Sequence, residues 1–529
     1  MLSQLVSFKV TRPSLWPFFL TSACLYYTCA FLLVFFIFHQ YKSWKRLAHI
    51  PGPKAAHFSI LWLLNHGWNG NLFPCMTAAG KKFGSLVRIG PNLLLCSDPD
   101  ELRRLSGTRS PYTKGPAYDA GRVTDTEPHV ASQRDPAKHK RLRAKMGPAY
   151  SMDVQPTIDQ NVATLVDLID RKYAAEPMLT RCTRANPEHA LPAKTMDFGQ
   201  KMDFYSIDTL CDFAFGENVG LLKSDSDVGD LTRFSDNSIR KVTMGGLIPW
   251  VSNMRFKWPF KYVMPQEKSI AGFEYLLRFA TDVVDRRMNH DAKPKNDMMQ
   301  GFFKAGMTRN QLMQQVYIHM IAGTDTTSKW ARMTMLCLLT CPPAYIALQR
   351  EIDAGFSSGQ LSSPVATDAE LRRLGYLDAV LCEALRKFPP SVSPSKLSPS
   401  VVDTVCGTPV PGGTQIGANI PGVMLSESVF GADAECFRPE RWLEAAQEPD
   451  GQSLGRMKST LDLVFGAGKF HCVGTTIAFM EVRKLFAELM RRFDFSVVKN
   501  EQPLRVESFA IMVVHDFQVR VTRRVMESK

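Results

Sequence analysis

The longest apolar run, LWPFFLTSACLYYTCAFLLVFFIF from Leu15 to Phe38, carries no charge. As a helix it reaches about 36 Å, enough to cross a bilayer. It ends in large apolar residues rather than at a small-residue cleavage site, which predicts a transmembrane helix over 15–38 and not a removed leader. Lys42, Lys45 and Arg46 after the span outweigh Lys9 and Arg12 before it, so residues 1–14 are expected in the lumen and the bulk of the chain in the cytosol. The basic, proline-rich stretch over 39–55, ending in IPGPK, predicts a stiff hinge. Farther on, helical periodicity recurs over 138–147, 157–172, 266–290, 309–340, 344–354, 368–387 and 473–492. SLVRIG and NLLLCS predict paired strands, followed by a helix starting near Asp98 to Asp100, and further strands are expected between Val401 and Ile420 and over 510–522. No repeat, low-complexity tract or linker interrupts 56–529. It reads as one domain, mainly α with small β-sheets.

Composition narrows the chemistry. A chain 45% hydrophobic and 22% charged is folded rather than disordered. Its 12 cysteines contain no C-x-x-C pair and no C-x-x-C-H. That removes a disulfide framework, a paired-cysteine zinc site and covalent c-type haem attachment, and it suits a reducing compartment. The net charge of +13 fits an anionic membrane surface or an acidic protein; no nucleic-acid motif accompanies it.

Four stretches carry candidate chemistry. In AGTDTT, within 309–340, Gly323, Asp325 and Thr326 interrupt an apolar helix. The glycine permits close approach of a flat ligand or a local opening, the threonine hydroxyl can serve a bound oxygen species, and the aspartate can relay protons; a hydrogen-bonded patch between helices is the plain alternative. In YLDAVLCEALRKFPP, Glu383 and Arg386 share a helix face, and Arg441 of FRPERW is a candidate second arginine for a buried ion pair. RDPAKHKRLRAKMGPAYS places His139 and Arg143 four apart in a basic helix, which is either a solvated face or an anion site with an outward docking surface. Finally, FGAGKFHCVG sets Cys472 in a glycine-rich loop before a helix. Exposed N–H groups there favour thiolate, and glycines let backbone pass close to a flat macrocycle, which suits a metal ligand; a catalytic nucleophile and a buried structural thiol are the alternatives.

Together and in this order, these stretches resemble the cytochrome P450 family of haem-thiolate monooxygenases, from the proline hinge to the final strands. F-x-x-G-x-x-x-C-x-G is the specific element; E-x-x-R and A-G-x-D-T-T add to it jointly. The resemblance implies the cytochrome P450 fold over 56–529 and a haem b cofactor. Cys472 is then the axial metal ligand, in a loop shaped by Phe465, Gly468 and Gly474. Asp325 and Thr326 are the proton-delivery pair, and Glu383, Arg386 and Arg441 the structural triad. His139, Arg143 and Lys396 stand at haem-propionate positions. Two residues depart from the pattern: Phe470 replaces the usual propionate-binding base, and Lys396 stands where arginine is common. The aromatic at 470, FRPERWL and VVHDFQVRVTRR are similar to fungal microsomal members of the pisatin demethylase-like type, many of which act in secondary metabolism.

The same resemblance implies insertion of one atom of dioxygen into a lipophilic small molecule, with electrons from NADPH through a reductase on the endoplasmic reticulum membrane. The basic helix is the candidate docking surface for that reductase, and lipid is expected around 15–38. A haem-thiolate isomerase or dehydratase that does not use dioxygen, and a non-catalytic haem-binding protein, are the alternatives. Substrate-lining segments are expected at 112–122, 202–215, 240–250, 313–326, 391–397 and 508–514.

Overall fold

The computed structural model describes residues 41–122, 127–176, 194–254, 256–262, 271–289, 293–392 and 394–524, together with Tyr27, Ala30, Phe31, Val34 and Phe38. The span expected over 15–38 lies outside the described residues except for those five, and so does residues 1–14. Among the described residues no single helix is long and apolar enough to cross a membrane.

Thr308 and Gln311 form a reciprocal capping box that starts the helix Arg309–Thr340, the longest in the described chain. It stops at Cys341, whose φ of −130° and ψ of 78° leave the helical region ahead of Pro342 and Pro343. Apart from a central window it is buried around its circumference, so it forms the axis of the molecule. Phe198–Phe215, Phe273–Met288, Gly375–Lys387 and Thr475–Arg492 pack against it. Gly323 serves this packing: a Cβ there meets Leu210 Cδ1 at 3.0 Å. The helix passes through Gly323 unbroken, so no local opening forms.

The predicted strand pair is present as Leu86–Gly90 and Leu93–Cys96, antiparallel. Asp98 then caps Pro99–Ser106 by accepting the Glu101 N–H. These strands open a five-stranded sheet that continues through Gln415–Ala418 and Lys396–Leu397 to Thr113–Lys114. The stretch expected as a hinge is packed onto this sheet. Leu47 and Ile50 are fully buried, and the buried Arg88 donates to the carbonyls of Trp44 (3.0 Å) and Ser43 (3.0 Å). The expected helix over 368–387 is two helices, Asp368–Leu371 and Gly375–Lys387. Leu374 is extended between them, and the Glu351 carboxylate caps the second by accepting the N–H groups of Tyr376 and Leu377, both at 2.8 Å.

Candidate functional site

The cysteine loop is set by two positive-φ glycines, Gly466 at +79° and Gly468 at +54°. A Cβ on Gly468 would fall 2.2 Å from the Ser106 carbonyl oxygen, so this glycine admits the neighbouring backbone rather than a ligand. Cys472 N–H donates to Phe465 O at 2.8 Å, while the Phe465 ring packs against Trp330 of the long helix (6.4 Å) and Phe479 (5.7 Å). Gly474 N–H points at Cys472 Sγ, 3.4 Å away. Burial raises the thiol pKa, and the Gly474 N–H, Thr475 and the Arg143 charge oppose without overturning it. The local N–H groups thus do not by themselves make a thiolate; a bound cation at sulfur would displace the proton.

Cys472 keeps accessible surface although its surroundings are dehydrated enough to raise its pKa. Such a group faces an internal space. Ala322, Thr326 and Trp330 form one stripe along the long helix, at i, i+4 and i+8. Trp330 is buried against the cysteine loop, whereas Ala322 is exposed and Thr326 partly so. Exposure in the middle of an otherwise buried helix, on the stripe that reaches the cysteine loop, marks the opposite wall. Thr326 Oγ1 donates to Ala322 O at 3.0 Å, which leaves its acceptor side free. Asp325 points elsewhere: its carboxylate accepts from Lys329 Nζ (2.6 Å) and from the Ser235 hydroxyl. Lys329 also faces Asp203 at 3.6 Å and Asp236 at 3.9 Å. The neighbouring acid and alcohol therefore diverge, one toward the space and one into a buried ionic network.

A second cluster surrounds Phe470. The ammonium groups of Lys469, Lys396 and Lys114 lie 5.2, 5.9 and 6.0 Å from its ring centre. Lys114 and Lys396 are direct cross-strand partners, an arrangement that like charges disfavour. Lys114 Nζ donates to the carbonyls of Val130 (2.7 Å) and Ala131 (2.8 Å), Lys469 to Ser110 O (2.6 Å), and Arg143 to His471 O (2.6 Å). Among the described residues none of these four cations has a carboxylate within ion-pair distance. Burial, then Arg143, pushes Lys114 down to about 7. Burial pushes Lys396 to about 8, and burial followed by the charges of Lys114, Arg143 and Lys469 pushes His139 to about 4. His139 therefore enters as a neutral imidazole, not a cation. Sequence reasoning missed Lys114 and Lys469; the one available signal was the missing base at Phe470.

The residues present fit a haem: an accessible sulfur in dry surroundings, a space beside it, and a cluster of one buried and three half-buried cations with no carboxylate partner among the described residues. Glu383, Arg386 and Arg441 meet elsewhere and need no ligand. Arg386 Nη2 and Arg441 Nε donate to Glu383 Oε1 at 2.7 and 2.9 Å, and Trp442 Nε1 donates to Oε2 at 2.9 Å. Burial alone would raise the Glu383 pKa, but hydrogen bonding and charge from Arg386, with the charge of Arg441, hold it below the ordinary value. Four expected lining segments converge: Ala510 N–H donates to Thr243 Oγ1 (3.0 Å), Val392 N–H to Ala510 O (2.9 Å), and Gly245 abuts Ala120.

Comparison with known proteins agrees with this geometry. The Cytochrome P450 family profile matches residues 50–520. The chain is 32% identical over 494 residues to cytochrome P450 monooxygenase ABA1 of Pyricularia oryzae, covering 92% of this chain and 94% of that protein. It is 32% identical over 484 residues to aba1 of Botryotinia fuckeliana, covering 90% and 92%, and 30% identical over 531 residues to abl1 of Leptosphaeria maculans, covering 97% and 88%. Both of these are likewise cytochrome P450 monooxygenases.

Proposed function

Because the chain belongs to the cytochrome P450 family of monooxygenases, we propose that it inserts one atom of dioxygen into a lipophilic small molecule of fungal secondary metabolism. The observation that carries this reading is the joint geometry of Cys472 and the anion-free cations around Phe470. Membership in the family implies haem, an apolar substrate, dioxygen and a reductase partner. When bound, haem supplies dioxygen activation, aided by electron donation from a thiolate ligand, with electrons from NADPH.

The chain's own residues divide the remaining work. Cys472 Sγ would hold the iron, with the Gly474 N–H already directed at the sulfur. Arg143, Lys114, Lys396 and Lys469 would hold the two carboxylates, with the planar fork of Arg143 suited to orienting one and the ammonium groups serving as point charges. Thr326 Oγ1, anchored on Ala322 O, accepts and passes protons at the reacting face. Asp325 feeds it from the Lys329 network by leaving that ion pair. The apolar residues of 240–250 and 508–514, with those of 112–122 and 391–397 beside the lysines, favour a lipophilic substrate.

Lys138, Lys140 and Arg141 are exposed on the basic helix Pro136–Met146, which supports docking of an acidic reductase face there. Attachment to the endoplasmic reticulum membrane by residues 15–38 is supported by the uncharged run and by the exposure of Tyr27, Phe31, Val34 and Phe38. NADPH consumption by the purified full chain should require both substrate and reductase, and each product should carry one oxygen atom from labelled dioxygen. Product formed without dioxygen would select the isomerase or dehydratase reading instead.

A further inference from the structure

Cys96 ends the strand Leu93–Cys96 and is fully buried. Cys406 lies in the hairpin turn between Asp403–Val405 and Thr408–Val410 and is half-buried. Their Sγ atoms are 3.8 Å apart, although the residues are 310 positions apart in sequence. Cys406 has a φ of +48° and Gly407 follows at +73°. A turn with two positive-φ residues favours asparagine, aspartate or glycine at the first place, so turn geometry gives no reason for cysteine there. Around the pair, Cys96 Sγ lies 3.8 Å from Asp98 O, and Cys406 Sγ lies 4.0 Å from Ser85 O. Neither sulfur is held by a metal-ligand cluster, since none exists among the described residues.

We propose that Cys96 and Cys406 form a reversible dithiol–disulfide site that hydrogen peroxide oxidises. The two thiols are unequal in the way the chemistry needs. The hydrogen bond with Cys96 lowers the Cys406 pKa, while the same bond, followed by burial, raises that of Cys96. The half-exposed Cys406 thiolate attacks one peroxide oxygen; the O–O bond breaks, hydroxide leaves and is protonated to water, and Cys406 becomes a sulfenic acid. Cys96 sulfur then attacks Cys406 sulfur. The S–O bond breaks, and the leaving hydroxide takes the Cys96 proton as a second water. Two thiols and one peroxide thus give one disulfide and two waters, and a small dithiol reverses the step.

The link ties the hairpin to the five-stranded sheet. The hairpin already holds Asp403, which accepts from Tyr112 (2.8 Å) and Arg104 (3.1 Å). Arg104 belongs to Pro99–Ser106, whose last carbonyl abuts Gly468 of the cysteine loop. The disulfide therefore braces the support beneath that loop, and it closes a very long segment of the unfolded chain.

The test uses the full-length haem-loaded protein, treated with hydrogen peroxide or, in parallel, with the thiol oxidant diamide, then alkylated and digested without reduction. Mass spectrometry should find the peptides containing Cys96 and Cys406 joined, with the link lost on dithiothreitol and absent in Cys406→Ser and Cys96→Ala. Oxidation should raise the thermal midpoint of the wild type and leave that of Cys406→Ser unchanged. Cys406 accumulating as sulfenic or sulfinic acid beside an alkylated Cys96, or both thiols remaining alkylatable while other cysteines oxidise, would overturn the proposal.

Discussion

Two buried basic regions of this protein look alike in composition and differ in charge closure. Around Glu383, the guanidinium groups of Arg386 and Arg441 converge on one carboxylate, and Asp433 takes a further bond from Arg441 at 2.7 Å. Around Phe470, Lys114, Lys469 and Arg143 donate to carbonyl oxygens, Lys396 lies near the ring, and none of the four has a carboxylate within ion-pair distance among the described residues. The first region is complete as folded and acts as architecture. The second holds three lysines whose pKa values burial has depressed, which is how a site looks when its anion comes from outside the chain. Removing a charge should therefore have opposite consequences in the two places.

The largest effect is expected at the closed region. Glu383→Gln leaves the buried Arg386 without a carboxylate and Arg441 with Asp433 alone, and should destabilise the fold by about 3–5 kcal/mol, read as a lower denaturant midpoint with the haem-free and haem-loaded forms affected alike. An unchanged midpoint would show that the triad is not structural.

At the open region, Arg143→Ala should speed haem transfer to apomyoglobin by roughly tenfold or more, the scale of one charge-assisted hydrogen bond of about 1.5–3 kcal/mol. Phe470→Arg in that background should restore part of the retention. Lys114→Met is the sharper variant because its two effects differ in sign. Loss of an unpaired buried ammonium should stabilise the haem-free protein by on the order of 1 kcal/mol, while haem dissociation becomes faster. Destabilisation of both forms would remove the distinction between the regions.

The smallest effect is a pH dependence. Lys114 and Lys396 sit near 7 and 8 without ligand, below the ordinary lysine value. In the ligand-free protein they lose their protons as pH rises through that range, and a carboxylate ligand must then recruit them back. Affinity for metal-free protoporphyrin, which avoids the Cys472 ligand, should be highest below pH 7 and fall from 7 to 9. The same depression means the unfolded chain binds more protons between pH 7 and the ordinary lysine pKa, so stability of the ligand-free fold should rise over that interval. A flat binding profile would show that the lysines do not face the carboxylates.

The closed region was legible in sequence because Glu383 and Arg386 lie one helical turn apart and Arg441 follows in a recognisable segment. Cys472 was legible from its glycine setting. The open region was only half legible. Arg143 and His139 share a helix face, but Lys114 reaches the site through a two-residue strand paired with Lys396, a contact between distant positions that no local period records. The helix Phe198–Phe215 was invisible for another reason. Its polar residues are buried too, with Asp208 accepting three backbone N–H groups and Lys201 paired to Asp225, so no amphipathic stripe marks it. Asp325 and Thr326, expected as a proton-delivery pair from the family resemblance, are turned about 100° apart by the helix, with Lys329 and Ser235 holding the aspartate.

The claim that the Phe470 cluster holds the cofactor's carboxylates is tested most directly by comparing dissociation of haem and haem dimethyl ester, whose carboxylates are neutral, from wild type and from the Lys114→Met, Lys396→Met double variant. The account predicts that esterification speeds loss from the wild type by roughly a hundredfold, the scale of two charge-assisted contacts, and changes loss from the variant far less. Equal rates for haem and its ester in the wild type would contradict it.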